Sequence, residues 1–322
     1  MRNQIAWLFC LAAVAWSAAA AAQHYPSRPV RIVAPFSPGT ATDILARQLA
    51  SGLTQELGQP VAVENRPGGA AIIGADAVAK SSPDGYTILL GSSQSHATNS
   101  SLIKKLPYDP IADFAPIARL SVFPAVLVVH QSIPAKTVAE LVAYARQRPG
   151  QINYASSGPG TQAHLQAAML AATSGIVLTH VPFKEAGQAF SSLIRGDLQM
   201  MFYPHSALGA VLQSGRVNVL ASTGEKRSPR TPDVPTMSEA GYPEVTLAAW
   251  NALYAPAGTA PAIIDTLNRA TRRVLEDPAA KNKFAELGIE IAFSSPQELA
   301  AFTRAEIERY RRLVALTKLK VE

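Results

Sequence analysis

Short apolar runs alternate with amphipathic helical stretches along almost the whole chain, and this alternation limits the available folds more than any other feature. "VRIVA" (30–34) is followed by Leu45, Leu49, Leu53 and Leu57, one apolar stripe at i+4 spacing. "VAVEN" predicts the next strand, and Gly68 and Gly69 lead into a helix through "IIGADAVAK". "YTILLG" reads as a buried strand after the Pro83-Asp84-Gly85 turn. A second series starts near "AVLVVH", with helix "VAELVAYARQR", strand "INYAS" and a helix from about Thr161 to Ala172. It continues through "IVLTHVPF", a helix from about Gly187 to Ile194, "LQMMFY", a helix from about Ala207 to Gln213, and "VNVLAST". The proline-rich connector "KRSPRTPDVPTMSEAGYPEV" precedes a strand-like run, "TLAAWNALYAP", and two closing helices. One of these runs from near Pro261 toward Glu276, the other over "PQELAAFTRAEIERYRRLVALT".

Such alternation predicts an α/β fold with parallel sheets and right-handed crossovers. The two series, with strand-like passages near 117–129 and 246–255 between them, predict two lobes joined by two crossings. The last two helices would then pack on the first lobe. A single continuous sheet is the alternative that a length of 322 residues leaves open.

With 48% hydrophobic and 16% charged residues, the composition is that of a packed globular protein and excludes a disordered chain. The net charge of +6 is spread along the chain, with no basic tract and no aromatic-basic interleaving, so nucleic acid is not an expected partner. A mild positive field suits small anions. Residues 1–22 have the pattern of an export signal: Arg2, then the short apolar core "IAWLFCLAAVAW", then Ala20-Ala21-Ala22 as an A-x-A cleavage site before Gln23. The alternative, a membrane anchor, requires a longer apolar core. Cys10, the only cysteine, lies inside this segment, so the mature chain has no thiol or disulfide chemistry.

Ligands of open α/β sheets bind beyond the carboxyl ends of the strands, where loops meet helix N-termini. Three such corners are rich in small polar residues: Phe36 to Asp43, "GSSQSHATN" from Gly91, and "ASSGPGTQAH" from Ala155. Unpaired N–H groups at helix starts suit a carboxylate or phosphate. Ordinary helix capping by Thr40, Thr42 or Thr161 is the plainer explanation of each corner taken singly. Catalytic signatures are missing: there is no G-x-S-x-G, P-loop, H-E-x-x-H or G-x-G-x-x-G. His24, His96, His130, His164, His180 and His205 show no helical metal-ligand spacing, so neither a metal nor a cofactor is expected. A Ser–His pair formed in space, for instance from Ser157 and His96, is the remaining route to a hydrolase.

"YPSRPVRIVAPFSPGTATDILAR", "GQPVAVENRPGGAAIIGADAVAKSSPDGYTILLG", "LPYDPIADFAPIARL", "INYASSGPGTQAHL", "HVPFKEAGQAFSSLIRGDLQMMF" and "YAPAGTAPAIIDTLN" are ordered blocks spanning nearly the whole mature chain. Together they resemble the Bug proteins, extracytoplasmic receptors of the tripartite tricarboxylate transporter (TctC-type) family. The resemblance implies a two-lobed periplasmic-binding-protein fold with a ligand cleft between two α/β domains. The first domain would hold residues 23–124 and 248–322, and the second residues 125–247. It also implies a periplasmic, non-enzymatic, monomeric receptor for a small organic carboxylate, read by the permease subunits of such a transporter. A receptor serving a membrane signalling partner would share the same fold.

Carried onto this chain, the family's ligand-binding positions are Phe36, Ser37, Gly39, Thr40, Thr42 and Asp43 from the first corner, with Asp43 expected to orient its loop rather than touch an anion. Ser92, Ser93, His96, Ser156, Ser157, Thr161 and His164 come from the other two. Departures fall at Ser37 and Thr40, where the family has a proline and a glycine, and at Glu185 and Ala186, where it has glycine and serine. Tyr203, Pro204 and His205 replace a D-N-x-P segment. Glu185 and Tyr203 are therefore added as candidates for shaping the distal pocket.

Overall fold

The structure, a computed structural model, describes residues 25–183, 185–228, 231–286 and 289–317; the export segment expected over residues 1–22 lies outside them. The chain first lays down β1 (Val30–Ala34), β2 (Val61–Asn65), β3 (Thr87–Ser92) and β4 (Phe114–Phe123). After Pro124 alone it continues as β5 (Ala125–His130), then β6 (Asn153–Ser156), β7 (Thr179–Pro182), β8 (Met200–Pro204) and β9 (Val217–Ser222). It returns as β10 (Ala249–Pro256) and β11 (Glu290–Ile291). Two sheets result, ordered β11-β4-β10-β3-β1-β2 and β7-β6-β8-β5-β9, so the single-sheet alternative is excluded.

The sheets are mixed rather than parallel. β1 pairs in parallel with β2 and β3, and β6 with β7 and β8. β10 runs antiparallel between β3 and β4, and β5 antiparallel between β8 and β9. The reason is the crossing itself. β5 and β10 each enter a sheet from the side of the other sheet, so they run against strands whose helical crossovers begin and end in one lobe.

The same pairings fix where the loops face. β3 and β4 both oppose β10, so β4 points the way β1–β3 do, and its end is where the chain leaves for β5. β8 and β9 oppose β5 and therefore run back toward that crossing, as do β6 and β7. The carboxyl ends of β1, β3, β6, β7, β8 and β9 thus meet at the junction of the two lobes.

The helices are α1 (Ala41–Leu57), α2 (Ile72–Ala79), a π turn (Gln94–Thr98) leading into α3 (Asn99–Leu102), α4 (Val138–Arg146), α5 (Gln162–Ser174), α6 (Ala186–Arg195) and α7 (Gly209–Gln213). Three helices follow β10, not two: α8 (Pro261–Glu276), α9 (Pro278–Glu286) and α10 (Pro296–Thr317). Only Phe284 of α9 is buried, too little apolar periodicity to announce a helix in the sequence.

The leucine stripe of α1 buries Leu45, Leu49 and Leu53 against Ile32, Leu90 and Leu267 on one face of the first sheet. On the other face, α10 presents Leu299, Thr303, Ile307, Tyr310 and Leu313 at steps of four, four, three and three residues. α10 touches the π turn and α3 of the first lobe and α5 of the second, so one apolar cluster extends from Val33 and Leu89 to Leu127 and Phe202. At its centre the Tyr310 hydroxyl donates to Gln162 Oε1 at 2.9 Å and also meets Ser93. Gln162 and Gln166 donate to the Leu247 carbonyl at 3.0 and 2.6 Å, tying α5 to the returning crossing.

Gly91 shows how tightly the second corner is set. A Cβ there would stand 2.8 Å from both His96 Cε1 and Tyr254 Cδ2, atoms of rings with no room to retreat. Gly91→Ala is expected to lower unfolding free energy by about 1–3 kcal/mol, the usual cost of overpacking. Urea denaturation measures this directly, and an unchanged midpoint would mean that the π turn yields.

Candidate functional site

The first corner is a worked-out helix start. Thr40 is extended (φ −72°, ψ 159°), so no glycine is required where this chain departs from its family's pattern. Its Oγ1 accepts from the Asp43 N–H at 3.3 Å and donates to the Ser37 carbonyl at 2.9 Å. Asp43 is buried and its carboxylate faces into the loop. It accepts from the Gly39 N–H (2.9 Å), Arg47 Nε (3.0 Å) and Asn65 Nδ2 (2.7 Å). Burial pushes the Asp43 carboxyl up, but the bonds from Arg47, Asn65 and Gly39 together hold it below the usual carboxylate range. Ser37, Gly39 and Thr40 are exposed, and Phe36 and Thr42 half-buried.

At the second corner the polar run folds into the π turn and α3 instead of an open loop. Ser92 and Ser93 are buried, Ser92 bonding around the turn to Ser95. His96 is carried into the core: its ring stacks on Tyr254 at 4.0 Å and lies 5.0 Å from Phe114, with Nδ1 on Ser95 Oγ at 2.9 Å. Burial drives its pKa down to about 3, so it is neutral.

The third corner is held by two histidines. Ser156 Oγ sits 3.0 Å from both the N–H and the carbonyl of Gly158 and 2.6 Å from His180 Nε2. The Gly160 N–H donates to His164 Nδ1 at 3.0 Å. The His164 and His180 rings stack at 4.1 Å, with Tyr154 5.0 Å from His180 on the adjacent strand. Burial, then the neighbouring His180, lowers His164 to about 4. Thr161 is half-buried and its Oγ1 donates to the Gly158 carbonyl at 2.7 Å, leaving α5 with no side-chain cap. Ser157 is exposed.

Glu185 and Tyr203 close the set. Glu185 is exposed and stands at the start of α6, where it makes no capping bond. Tyr203 is half-buried at the end of β8, edge-on to Phe190 of α6 at 4.9 Å. β1 and β3 are neighbours, and β6 lies between β7 and β8, so the β1 and β3 corners lie one strand spacing apart and the β6 corner one spacing from each of its neighbours. Tyr310 joins the second corner to the third across the junction. Sequence reasoning missed Tyr310, Gln162 and His180. The tyrosine looks like one more apolar-stripe residue, and the histidine meets Ser156 only through the register of β7 on β6.

The two long helices that start at this junction differ electrostatically. α1 carries Asp43 in its first turn and Thr40 as cap, whereas α5 has no acid there and no side-chain cap. Its first-turn N–H groups lack intrahelical partners by helix geometry. An anion therefore gains more at α5 than at α1.

The buried histidines set an acid limit. His96 and His164 have folded pKa values of about 3 and about 4, below the ordinary 6.5. Their neutrality supports the fold fully above pH 6.5, and that support is lost as pH falls from there toward the folded values, because the unfolded chain takes up the protons first. The thermal midpoint is expected to fall over that interval, and His96→Phe to flatten the fall; an equally steep decline in the variant would count against it.

The family model described as "Tripartite tricarboxylate transporter family receptor" matches residues 45–319. Protein BugT of Bordetella pertussis is 36% identical over 307 residues, covering 95% of this chain and 94% of BugT. Among solved structures, R. palustris Rpa4515 with adipate superposes with a TM-score of 0.80 at 34% identity, over 92% of this chain and 99% of that one. The periplasmic binding protein BugD gives 0.77 at 32%, over 92% and 100%. MatC from Rhodopseudomonas palustris with bound malate gives 0.76 at 32%, over 90% and 100%. With its two α/β lobes and this match along most of its length, the chain belongs to the TctC family of tripartite tricarboxylate transporter receptors.

Proposed function

We propose that this chain captures a small carboxylate-bearing solute in the periplasm and delivers it to the permease subunits of a tripartite tricarboxylate transporter. The observation that carries the reading is the uncapped, acid-free first turn of α5, in the loop-to-helix corner that follows β6. Relatives whose structures hold adipate and malate support a carboxylate as the ligand class. The mature protein acts as a monomer of two domains, residues 23–124 with 248–322 and residues 125–247. It is exported by residues 1–22, with cleavage near Ala22.

In this reading one ligand carboxylate lies at the α5 start, among Ser156, Ser157 and Thr161. Phe36, Ser37, Gly39, Thr40 and Thr42 close over it from the first lobe, with Ser92 and Ser93 beside them. Asp43, His96 and His164 support these loops from behind. Ligand contacts from both lobes favour the closed state, the ordinary population shift of a two-lobed receptor. Membership of a family of receptors supports binding rather than catalysis as the role of this site. Glu185 and Tyr203 face the distal end, where Glu185 disfavours a second carboxylate.

Thr161→Asp separates this role from simple capping. Aspartate cannot donate to the Gly158 carbonyl as Thr161 does, but it caps the open first turn of α5 in exchange, so stability is expected to change by no more than about 1 kcal/mol. Adipate and malate affinity measured by calorimetry is expected to drop tenfold or more, since like charges about 5 Å apart repel by roughly 3 kcal/mol at an effective permittivity near 20. Undiminished binding by that variant would sink the assignment. Glu185→Gly is expected to move the ranking toward dicarboxylates over monocarboxylates; an unchanged ranking removes Glu185 from the pocket.

A further inference from the structure

Ser156 Oγ has three partners within 3.0 Å and a single hydrogen to give. The Gly158 N–H donates to it. If the hydroxyl hydrogen goes to the Gly158 carbonyl, the contact to His180 is satisfied only when Nε2 carries a proton and donates. All three contacts are then made, two into the oxygen and one out of it. His164 is constrained in the complementary way. Its Nδ1 accepts from the Gly160 N–H, so its proton also resides on Nε2. Two neutral rings in the same tautomer, stacked at 4.1 Å and 7°, therefore hold the two glycines of one loop.

Gly158 and Gly160 both sit at positive φ, 128° and 72°, and both have their N–H groups turned to these partners. The loop's shape, and with it the approach to the first turn of α5, rests on the pair. Tyr154 backs the stack from β6, and among the described residues no ion pair engages either ring.

We propose that His180 and His164 are the positioning residues of the Ser156–Thr161 loop: His180 fixes Ser156 and through it Gly158, His164 fixes Gly160, and together they present the α5 terminus to ligand. The ligand half of this statement rests on the carboxylate reading above; the loop half does not.

Two measurements test the halves separately. In the ligand-free protein, long-range 15N–1H spectra are expected to place the proton on Nε2 of both rings. His180→Leu is expected to shift the Gly158 amide and His164→Leu the Gly160 amide. His180→Gln restores an Nε donor and His164→Asn an acceptor at the Nδ1 position, so both are expected to return these amides toward wild type. An Nδ1–H tautomer at either ring, or glycine amides indifferent to the leucine variants, overturns the proposal; the tautomer reading needs no variant to fold. With adipate as the probe, the leucine variants are expected to bind about tenfold more weakly and the amide variants within about threefold of wild type, the worth of one buried hydrogen bond. Equal affinity in the leucine variants refutes the presenting role. If adipate binds to none of the proteins while the spectra behave as stated, the carboxylate reading fails and the positioning of the loop stands.

Discussion

A single proline separates the last strand of one sheet from the first strand of the next. Because β4 runs straight through Pro124 into β5, the two lobes share one line of backbone, and the sense of every other strand follows from it. Strands reached by helical crossovers must point toward the junction, and strands that arrive through the junction must point away. The polar corners after β1, β3, β6, β7 and β8 are thereby gathered on facing edges without any side chain needing to attract another. α10 seals the arrangement by packing on both lobes at once, with Tyr310 reaching a group on each.

The two helix starts at this junction show how similar sequences can be put to different electrostatic use. In "SPGTATD" Thr40 and Asp43 bond to the backbone of their own corner, and the residual charge is further reduced by Arg47. In "SSGPGTQAH" the threonine turns back to its own loop, the nearest imidazole takes a glycine N–H, and the helix end is left open. Each arrangement satisfies its loop, but only the second leaves a partial positive charge unanswered.

Most of the elements were legible because their apolar periodicity is strong: the leucines of α1, the unbroken "AVLVVH" and the stripe of α10 all lie where spacing puts them. What sequence could not supply was direction and register. Strand alternation suggested parallel sheets, and the pairings of β5, β10 and β11 reverse that. His96 and His180 are equally plausible as polar candidates on paper. The π turn carries one under Tyr254, and the β6–β7 register brings the other to Ser156, both decided by residues far away in the chain. α9, with one buried side chain, left no signal to read.

β10 is an interior strand of the first sheet, and β3 and β4 are joined to each other only through it. The Asn251 amide reaches the Gly91 carbonyl across 160 residues of chain. The second sheet, by contrast, draws all its strands from residues 125–222 and contains only contacts that a growing chain has already produced. Delivered amino end first, from a ribosome or through a pore, this chain has every strand of its second sheet in hand before the first sheet can be completed. Meanwhile β3 waits with an open, apolar edge that has no permanent partner until residue 256 has arrived. The oldest part of the chain is thus the last to close, and for that interval its safety depends on whatever keeps the edge of β3 from finding another strand.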